Sequence, residues 1–196
     1  MGKQKYLEDI KNLFNKSLVV NSSSISRLIK NKKEFKQYQK QLIRNLILKK
    51  KIKRLTKGFY TIHEDPSLIV FCFKPSYLGL QDALSFYELW EQETIPVMIT
   101  SRKIRQGIRK ILGINVLIRR IDKKYLFGFE YKKQGNFYFP YSEIEKTFID
   151  MIYFKQRISE NVKNNMIKKI NKDKLINYLE VYPKKFREKV LDIYSD

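Results

Sequence analysis

The sequence predicts an α+β protein of two small domains, at residues 1–64 and 65–196. Apolar residues recur at helical spacing near both ends of the chain, and β-type runs lie between them. The pattern breaks at Glu64-Asp65-Pro66, where the composition changes. Because 43% of the 196 residues are apolar and 14% are aromatic, the chain can bury a core, and its 31% charged residues do not indicate disorder.

Three helices are predicted in the first domain. The first, over residues 5–15, is amphipathic, and an extended link at 17–20 follows it. The second begins at one of several N-cap candidates in 21–24 and ends near Asn31. The third runs from about 33 to 50. The apolar residues that support the first helix are Tyr6, Ile10, Leu13 and Phe14.

The third helix has two chemically distinct faces. With about 100° of rotation per residue, one face is an apolar stripe formed by Phe35, Tyr38, Leu42 and Leu46. The opposite face holds Lys33, Gln37, Lys40 and Arg44. Arg and Lys bind guanine edges or phosphate, and Gln binds adenine or phosphate, so these residue types suit a helix that enters a DNA groove. A solvated helix face is the alternative.

A β-hairpin is predicted after this helix, over residues 52–62, because Lys57-Gly58 can supply the positive φ of its turn. From Lys30 to Lys57 the chain has twelve Lys or Arg and one acid, Glu34, which gives +11 of the formal net charge of +21. A short helix, a basic amphipathic helix and a basic hairpin are typical of a winged helix-turn-helix domain on DNA. The alternative explanation of the overall positive charge is a lysine-rich genome or a generally charged protein surface.

The predicted partner of this domain is double-stranded DNA. Its candidate contacts lie on the second helix, the third helix and the hairpin, with the hairpin cations on phosphate. These DNA-binding candidates are Ser23, Lys33, Lys36, Gln37, Lys40, Gln41, Arg44, Lys53, Arg54 and Lys57.

The second domain is predicted to be mixed α/β with a helical tail. A helix is expected over 76–89, and the strand-like segments are 96–100, 114–121, 125–131 and 136–139. Ser142 with Glu145 three residues later predicts a capping box for a helix that ends at Tyr153. Glu145, Lys146 and Asp150 on this helix could form an interaction face. After Ser159 the chain is expected to be helical.

The order of these elements resembles the AbiEi family, the antitoxin and regulator half of type IV toxin-antitoxin and phage-defence systems. The resemblance covers about residues 5–155. The segments that show the resemblance are 52–60 (IKRLTKGFY), 76–89 (SYLGLQDALSFYEL), 95–103 (IPVMITSRK) and 145–153 (EKTFIDMIY). Family members commonly end the recognition helix with a glycine, where this chain has Lys49-Lys50-Lys51.

The resemblance implies a non-catalytic protein with two functions. Its N-terminal winged helix would repress its own operon, and its C-terminal domain would counter a nucleotidyltransferase-like toxin encoded beside it. A second basic group could contact an acidic face of that toxin or further DNA, although a solvated surface is the alternative. Its residues are Arg102, Lys103, Arg105 and Arg109, followed by Lys110.

Two other functions stay open at this point. Asp122, Glu130 and Lys132 resemble the Asp…Glu-x-Lys pattern of restriction-type nucleases, in which two carboxylates bind Mg²⁺ and the lysine assists the attacking water. Exposed strand charges explain the same pattern. An RNA-binding accessory protein is the third class, because basic and aromatic residues also suit RNA.

Cofactor chemistry and membrane insertion have little support in the sequence. With one histidine, His63, and one cysteine, Cys72, a zinc site or a Cys-His nucleophile is not expected, and no glycine-rich phosphate loop is present. Cys72 lies in the apolar run 68–73 and is predicted to be a core thiol in a reducing cytoplasm. No run approaches the length of a membrane span, and no export signal is recognised.

Overall fold

The computed structural model describes residues 2–29 and 35–195, with side chains from residue 6 and, after the gap, from residue 37. The fold is α+β with two sheets, as the sequence predicts. The chain divides into two compact units. The first extends to Cys72 and includes Lys110–Ile114, and the second comprises Phe73–Arg109 and the chain from Asn115 onward. The domain boundary after residue 64 stays a prediction.

Three helices form the core of the first unit: α1 (Gly2–Lys16), α2 (Ser22–Leu28) and α3 (Phe35–Leu48). The N-cap of α2 is Asn21, whose Oδ1 accepts the backbone N–H of Ser24 at 2.7 Å. The N-cap therefore lies within the predicted segment 21–24. Apolar residues of all three helices pack together, and those that are buried are Ile10, Phe14, Ile25, Ile29, Leu42, Ile43 and Leu46.

A three-stranded antiparallel sheet completes this unit. Its strands are β1 (Val20–Asn21), β2 (Lys53–Thr56) and β3 (Phe59–Thr61), with β3 in the centre. The hairpin between β2 and β3 turns at Lys57-Gly58, where Gly58 has a φ of +81°. The prediction that this glycine supplies the positive φ is confirmed, and a side chain at this position would strain the turn.

Helix α3 ends without a glycine in the left-handed position that follows it. Lys50 takes the left-handed conformation with a φ of +54°. The N–H of Lys50 donates to the carbonyl of Ile47, and the N–H of Lys51 donates to that of Leu46, each at 2.9 Å. These two bonds form a Schellman motif, in which glycine is the usual left-handed residue because an L side chain is strained there.

A 3₁₀-helix, Pro66–Cys72, follows the hairpin and ends the first stretch of this unit. Cys72 is 8% exposed and is a free thiol, so the prediction of a core cysteine is confirmed. Burial raises the pKa of the Cys72 thiol to about 12, because the thiolate would lose its hydration.

A mixed six-stranded sheet lies mostly in the second unit, although residues 110, 111 and 114 of its strands belong to the first. Its strands are β4 (Ser76–Leu78), β5 (Val97–Thr100), β6 (Gly107–Ile111), β7 (Ile114–Arg120), β8 (Phe129–Gln134) and β9 (Phe137–Ser142). The spatial order is β6-β7-β5-β4-β9-β8. The central strand β4 is antiparallel to β5 and parallel to β9, and β5 is parallel to β7.

The predicted helix over 76–89 is wrong in its first part. Ser76–Leu78 is strand β4, and only Gln81–Phe86 forms a helix, α4. Tyr77 and Leu78 are both completely buried, so the segment is apolar on both faces of the strand and its apolar spacing mimics a helix. Leu80, with a φ of +56°, then turns the chain from the strand into α4.

The other strand predictions are confirmed for β5 and β7, whereas those near the last hairpin are shifted. The predicted segment 125–131 begins as a short 3₁₀-helix (Lys123–Tyr125) and a loop, and the strand starts only at Phe129. Strand β9 extends three residues beyond the predicted end at 139. Strand β6 is not among the predicted strands, because its two isoleucines are separated by two adjacent cations and show no period of two.

The capping box at Ser142 and Glu145 is also wrong. Helix α5 is Ile144–Tyr153 with Glu143 as its N-cap, and the Glu143 side chain forms no capping hydrogen bond with the described residues. Ser142 stays in strand β9, and its hydroxyl lies 2.7 Å from that of Thr147. The Glu145 carboxylate instead accepts the N–H of Asn171 at 2.9 Å. The predicted helical tail is confirmed as α6 (Glu160–Lys169), α7 (Lys172–Leu179) and α8 (Lys184–Ser195).

Candidate nucleic-acid interface

Hydrogen bonds fix α2, α3 and the β2–β3 hairpin against one another. Gln39 of α3 donates through Nε2 to the carbonyl of Ser22 at 2.6 Å and accepts the hydroxyl of Ser26 at 2.8 Å. The N–H of Ser22 donates to the carbonyl of Gly58 at 2.8 Å. The start of α2 is therefore joined both to the face of α3 and to the turn of the hairpin.

These elements enclose a basic cleft of about 670 Å³, which we call the α3–hairpin cleft. Lys40 and Arg44 line it from α3, and Arg54 and Lys57 line it from the hairpin. All four side chains are exposed, and among the described residues no acid lines the cleft. The remaining lining residues are Ser22, Ser23, Ser26, Gln39, Ile43, Ile47, Leu48, Gly58 and Tyr60.

The structure thus brings five of the ten DNA-binding candidates together, namely Ser23, Lys40, Arg44, Arg54 and Lys57. None of the four cations among them forms an ion pair with a residue that the structure describes. Four positive charges around one cleft give it a positive potential, which suits phosphate or another polyanion.

The other five candidates lie elsewhere or beyond the described part. Gln37 and Gln41 are exposed on α3 outside the cleft. Lys53 forms an exposed ion pair with Glu64, which lowers the pKa of that carboxyl. Lys33 lies outside the described residues, as does the side chain of Lys36.

Sequence reasoning missed Gln39, the residue that holds α2 to α3. On the helical projection this residue lies beside the apolar stripe of α3 rather than on the basic face. An amide near a buried stripe commonly has a hydrogen-bond partner, and that signal could have identified it. Its partners, a carbonyl and a serine hydroxyl on α2, are a tertiary pairing that no spacing rule gives.

The second unit carries another basic surface at one end of its sheet. Strands β5 and β7 are parallel, and Thr100 pairs with Arg120, so the segments that follow these strands leave the sheet at the same end. The N–H of Arg120 donates to Oε1 of Gln106 at 3.0 Å, which places the two segments side by side. We call the cations of these segments the β5–β7 basic edge: Arg102, Lys103, Arg105, Arg120, Lys123 and Lys124.

Three of the four predicted partner-binding residues, Arg102, Lys103 and Arg105, belong to this edge and are exposed. The fourth, Arg109, is half-buried in β6 and donates to the carbonyl of Arg105 at 2.6 Å. Among the described residues the edge cations form no ion pair, and the nearest acid in sequence is Asp122.

The residues of the nuclease-like pattern lie on, or shortly after, two strands that are not neighbours in the sheet. Glu130 and Lys132 form an ion pair at 2.5 Å on β8, at one edge of the sheet. Asp122 follows β7, which lies four strands away, or roughly 19 Å at the usual strand spacing. Within the described part of the chain, no three His, Cys, Asp or Glu residues are grouped as metal ligands would be.

The residues expected to form an interaction face on α5 are buried instead. Lys146 and Asp150 are 0% exposed and form an ion pair one turn apart, and Glu145 is 6% exposed. The hydroxyl of Tyr77 donates to Oδ2 of Asp150 at 2.6 Å. Burial raises the pKa of Asp150 and lowers that of Lys146, and their pairing opposes both shifts. This polar cluster therefore belongs to the core of the second unit.

Comparisons with known proteins show a similarity in fold. No family model matches the chain, and no curated protein matches it in sequence. The crystal structure of the RV2827C protein from Mycobacterium tuberculosis is similar in fold, with a TM-score of 0.57 over 98% of this chain and 78% of that chain. The two sequences are 11% identical, so this similarity concerns the fold alone. In the part of the chain that is described, no helix is long and apolar enough to cross a membrane.

Proposed function

We propose that the chain is a DNA-binding transcriptional repressor of its own promoter. In this proposal the first unit is a winged helix-turn-helix domain, with α3 as the recognition helix and the β2–β3 hairpin as the wing. Its place of action would be the cytoplasm. The order of three helices and a basic hairpin supports the assignment, as do the bonds that hold α2 against α3 and the turn.

The single observation that carries the proposal is the α3–hairpin cleft. Lys40 and Arg44 lie one helical turn apart on the exposed face of α3, where both can reach a groove. Arg54 and Lys57 extend from the hairpin beside them and suit the phosphates that flank such a groove. Leu48, which is 68% exposed at the cleft, suits an apolar contact such as a thymine methyl group.

A mobility-shift titration with duplex DNA from upstream of the coding sequence tests the proposal. Arg44→Ala combined with Lys40→Ala is expected to weaken specific binding about 30-fold or more, since each base-directed contact commonly contributes 1–3 kcal/mol. Lys57→Ala is expected to weaken binding to all sequences and to reduce the salt slope by about 0.9.

The matched control is Lys49→Ala combined with Lys50→Ala. These lysines are exposed and follow α3, but they do not line the cleft. The control removes the same charge, so it separates a local contact from the general effect of net charge. If both double variants bind equally, or if neither differs from the wild type, the recognition-helix assignment is wrong.

We further propose that the second unit is the antitoxin of a type IV system and counters a nucleotidyltransferase-like toxin. The resemblance of its segments to the AbiEi family is the main support. The β5–β7 basic edge adds a physical argument, because six cations without described ion pairs suit an acidic surface of a partner.

Co-expression with the product of the adjacent gene tests this second part. The wild type is expected to restore growth, whereas Arg102→Glu combined with Arg105→Glu is expected to lose the protection. The same charge reversal at Lys168 and Lys169, which are exposed on α6, is the control. Full protection by the Arg102 and Arg105 variant would exclude this edge as the contact with the toxin.

A further inference from the structure

The tip of the β8–β9 hairpin carries two large aromatic side chains in solvent. Tyr131 is 55% exposed and Tyr138 is 59% exposed. Neither ring contributes to a hydrophobic cluster of the second unit among the described residues. Rings exposed in this way are available for contact with a partner.

The register places both rings on one face of the hairpin. Tyr131 pairs with Pro140, and Lys133 pairs with Tyr138. Directly opposed residues of an antiparallel pair point to the same side, as do residues two apart in one strand. Tyr131 and Tyr138 are therefore diagonal neighbours on the same face, roughly 7–8 Å apart, and Lys133 lies two residues from Tyr131 along the strand and directly opposite Tyr138.

The same face is buried at the other end of the hairpin. Phe129 stacks on Tyr77 with ring centroids 5.2 Å apart, and its register partner Ser142 is completely buried. Pro140, which lies opposite Tyr131, is buried as well, so the exposed residues of this face in the hairpin are Tyr131, Lys133 and Tyr138.

The charge of this surface favours an anionic partner. Lys133 is exposed and forms no ion pair among the described residues. Lys132 and Glu130, which neutralise each other, lie on the opposite face of the strand. Over its two sequence segments, 73–109 and 115–196, the second unit holds 23 Lys or Arg against 15 Asp or Glu.

We propose that this hairpin tip is a binding surface for single-stranded RNA. Two unpaired bases stack on the rings of Tyr131 and Tyr138, and Lys133 contacts the intervening phosphate. The tyrosine hydroxyls hydrogen-bond to ribose 2′-hydroxyl groups, which gives RNA an advantage over DNA. Duplexes do not bind in this way, because their bases are already stacked and paired. The proposal does not depend on the function proposed for the first unit.

The test is a fluorescence-polarisation titration of the full chain with a labelled, unstructured oligouridine 12-mer. Tyr131→Ala combined with Tyr138→Ala is expected to weaken binding about 30-fold, since each stacked base contributes about fivefold or more. The corresponding double phenylalanine variant keeps both rings and loses both hydroxyls, so it is expected to bind more tightly than the double alanine variant and to prefer RNA over DNA less than the wild type does. Lys133→Gln is expected to reduce the salt slope by about 0.7.

Ile176→Ala combined with Val181→Ala is the matched control, because both side chains are exposed and apolar in the same unit. It is expected to leave binding unchanged. The tyrosine-dependent loss should be the same when Lys40 and Arg44 are alanine, which separates this surface from the cleft of the first unit.

Three results would overturn the proposal. Unchanged affinity of the double alanine variant would exclude the rings as stacking partners. Equal loss in the phenylalanine and alanine variants would show that stacking is not the interaction. Equal affinity for the deoxy oligonucleotide of the same sequence would refute the assignment to RNA.

Discussion

Replacing Lys146 with methionine is expected to destabilise the second unit by about 3–5 kcal/mol, because the Asp150 carboxylate would remain buried without its cation. Both side chains are 0% exposed, so water cannot compensate for the lost charge. Methionine has nearly the length of lysine, so the packing of the aliphatic chain is preserved. The hydroxyl of Tyr77 would be the remaining described side-chain donor to the carboxylate.

Urea unfolding followed by tryptophan fluorescence measures this effect. Trp90 is the only tryptophan of the chain and packs against the core of the second unit, so its signal reports on that unit. The control is the double variant Lys146→Met and Asp150→Leu, which removes both charges. Its stability is expected to lie within about 2 kcal/mol of the wild type, since apolar replacement of a buried pair is often neutral.

The pH dependence of the single variant gives an independent check. Without Lys146, burial alone raises the pKa of Asp150 above its unfolded value. A raised carboxyl pKa means that the folded state binds the proton more tightly, so stability is present at low pH and is lost as pH rises through the folded pKa. The loss of folding stability caused by Lys146→Met should therefore become smaller as pH falls towards 4. A loss below about 1 kcal/mol at pH 7, or a deficit that does not change with pH, would refute the reasoning.

Three further predictions concern the first unit. Lys50→Gly is expected to stabilise it by about 0.5–1 kcal/mol in thermal unfolding, because the left-handed φ of +54° strains a lysine, whereas Lys49→Gly should not stabilise it. Cys72 should react with Ellman's reagent at pH 8 far more slowly than in urea, because it is buried and its pKa is about 12; rapid labelling of the folded chain would contradict the burial. Gln39→Ala should cost about 1–2 kcal/mol by circular dichroism, because the carbonyl of Ser22 loses a donor, and an unchanged melting temperature would argue against the clamp.

Local sequence signals predicted the first unit's elements well. Asn21 can cap a helix and Gly58 can take a positive φ, and each of these properties depends on one residue and its immediate neighbours. The basic face of α3 followed from helical periodicity in the same way. The clamp by Gln39 could not be predicted, because its partners lie 13 and 17 residues away in sequence and meet it only through packing.

Predictions failed in the second unit where burial is complete. Tyr77 and Leu78 are apolar on both sides of a central strand, so their pattern carries no period of two and was mistaken for a helix. Lys146 and Asp150 have the i, i+4 spacing of a surface ion pair, and sequence cannot show that a core surrounds them.

The sequence by itself determined the α+β class, the excess of positive charge, the hairpin turn at Gly58 and the buried cysteine, since composition and local conformational preference fix these properties. Only the tertiary structure decided which cations share a cleft, which charged residues are buried, and which tyrosines are left in solvent on the β8–β9 hairpin. Those outcomes depend on how distant strands and helices pair. Burial and strand pairing bring together segments that are far apart in the chain. The hydrophobic periodicity of a single segment therefore cannot predict them.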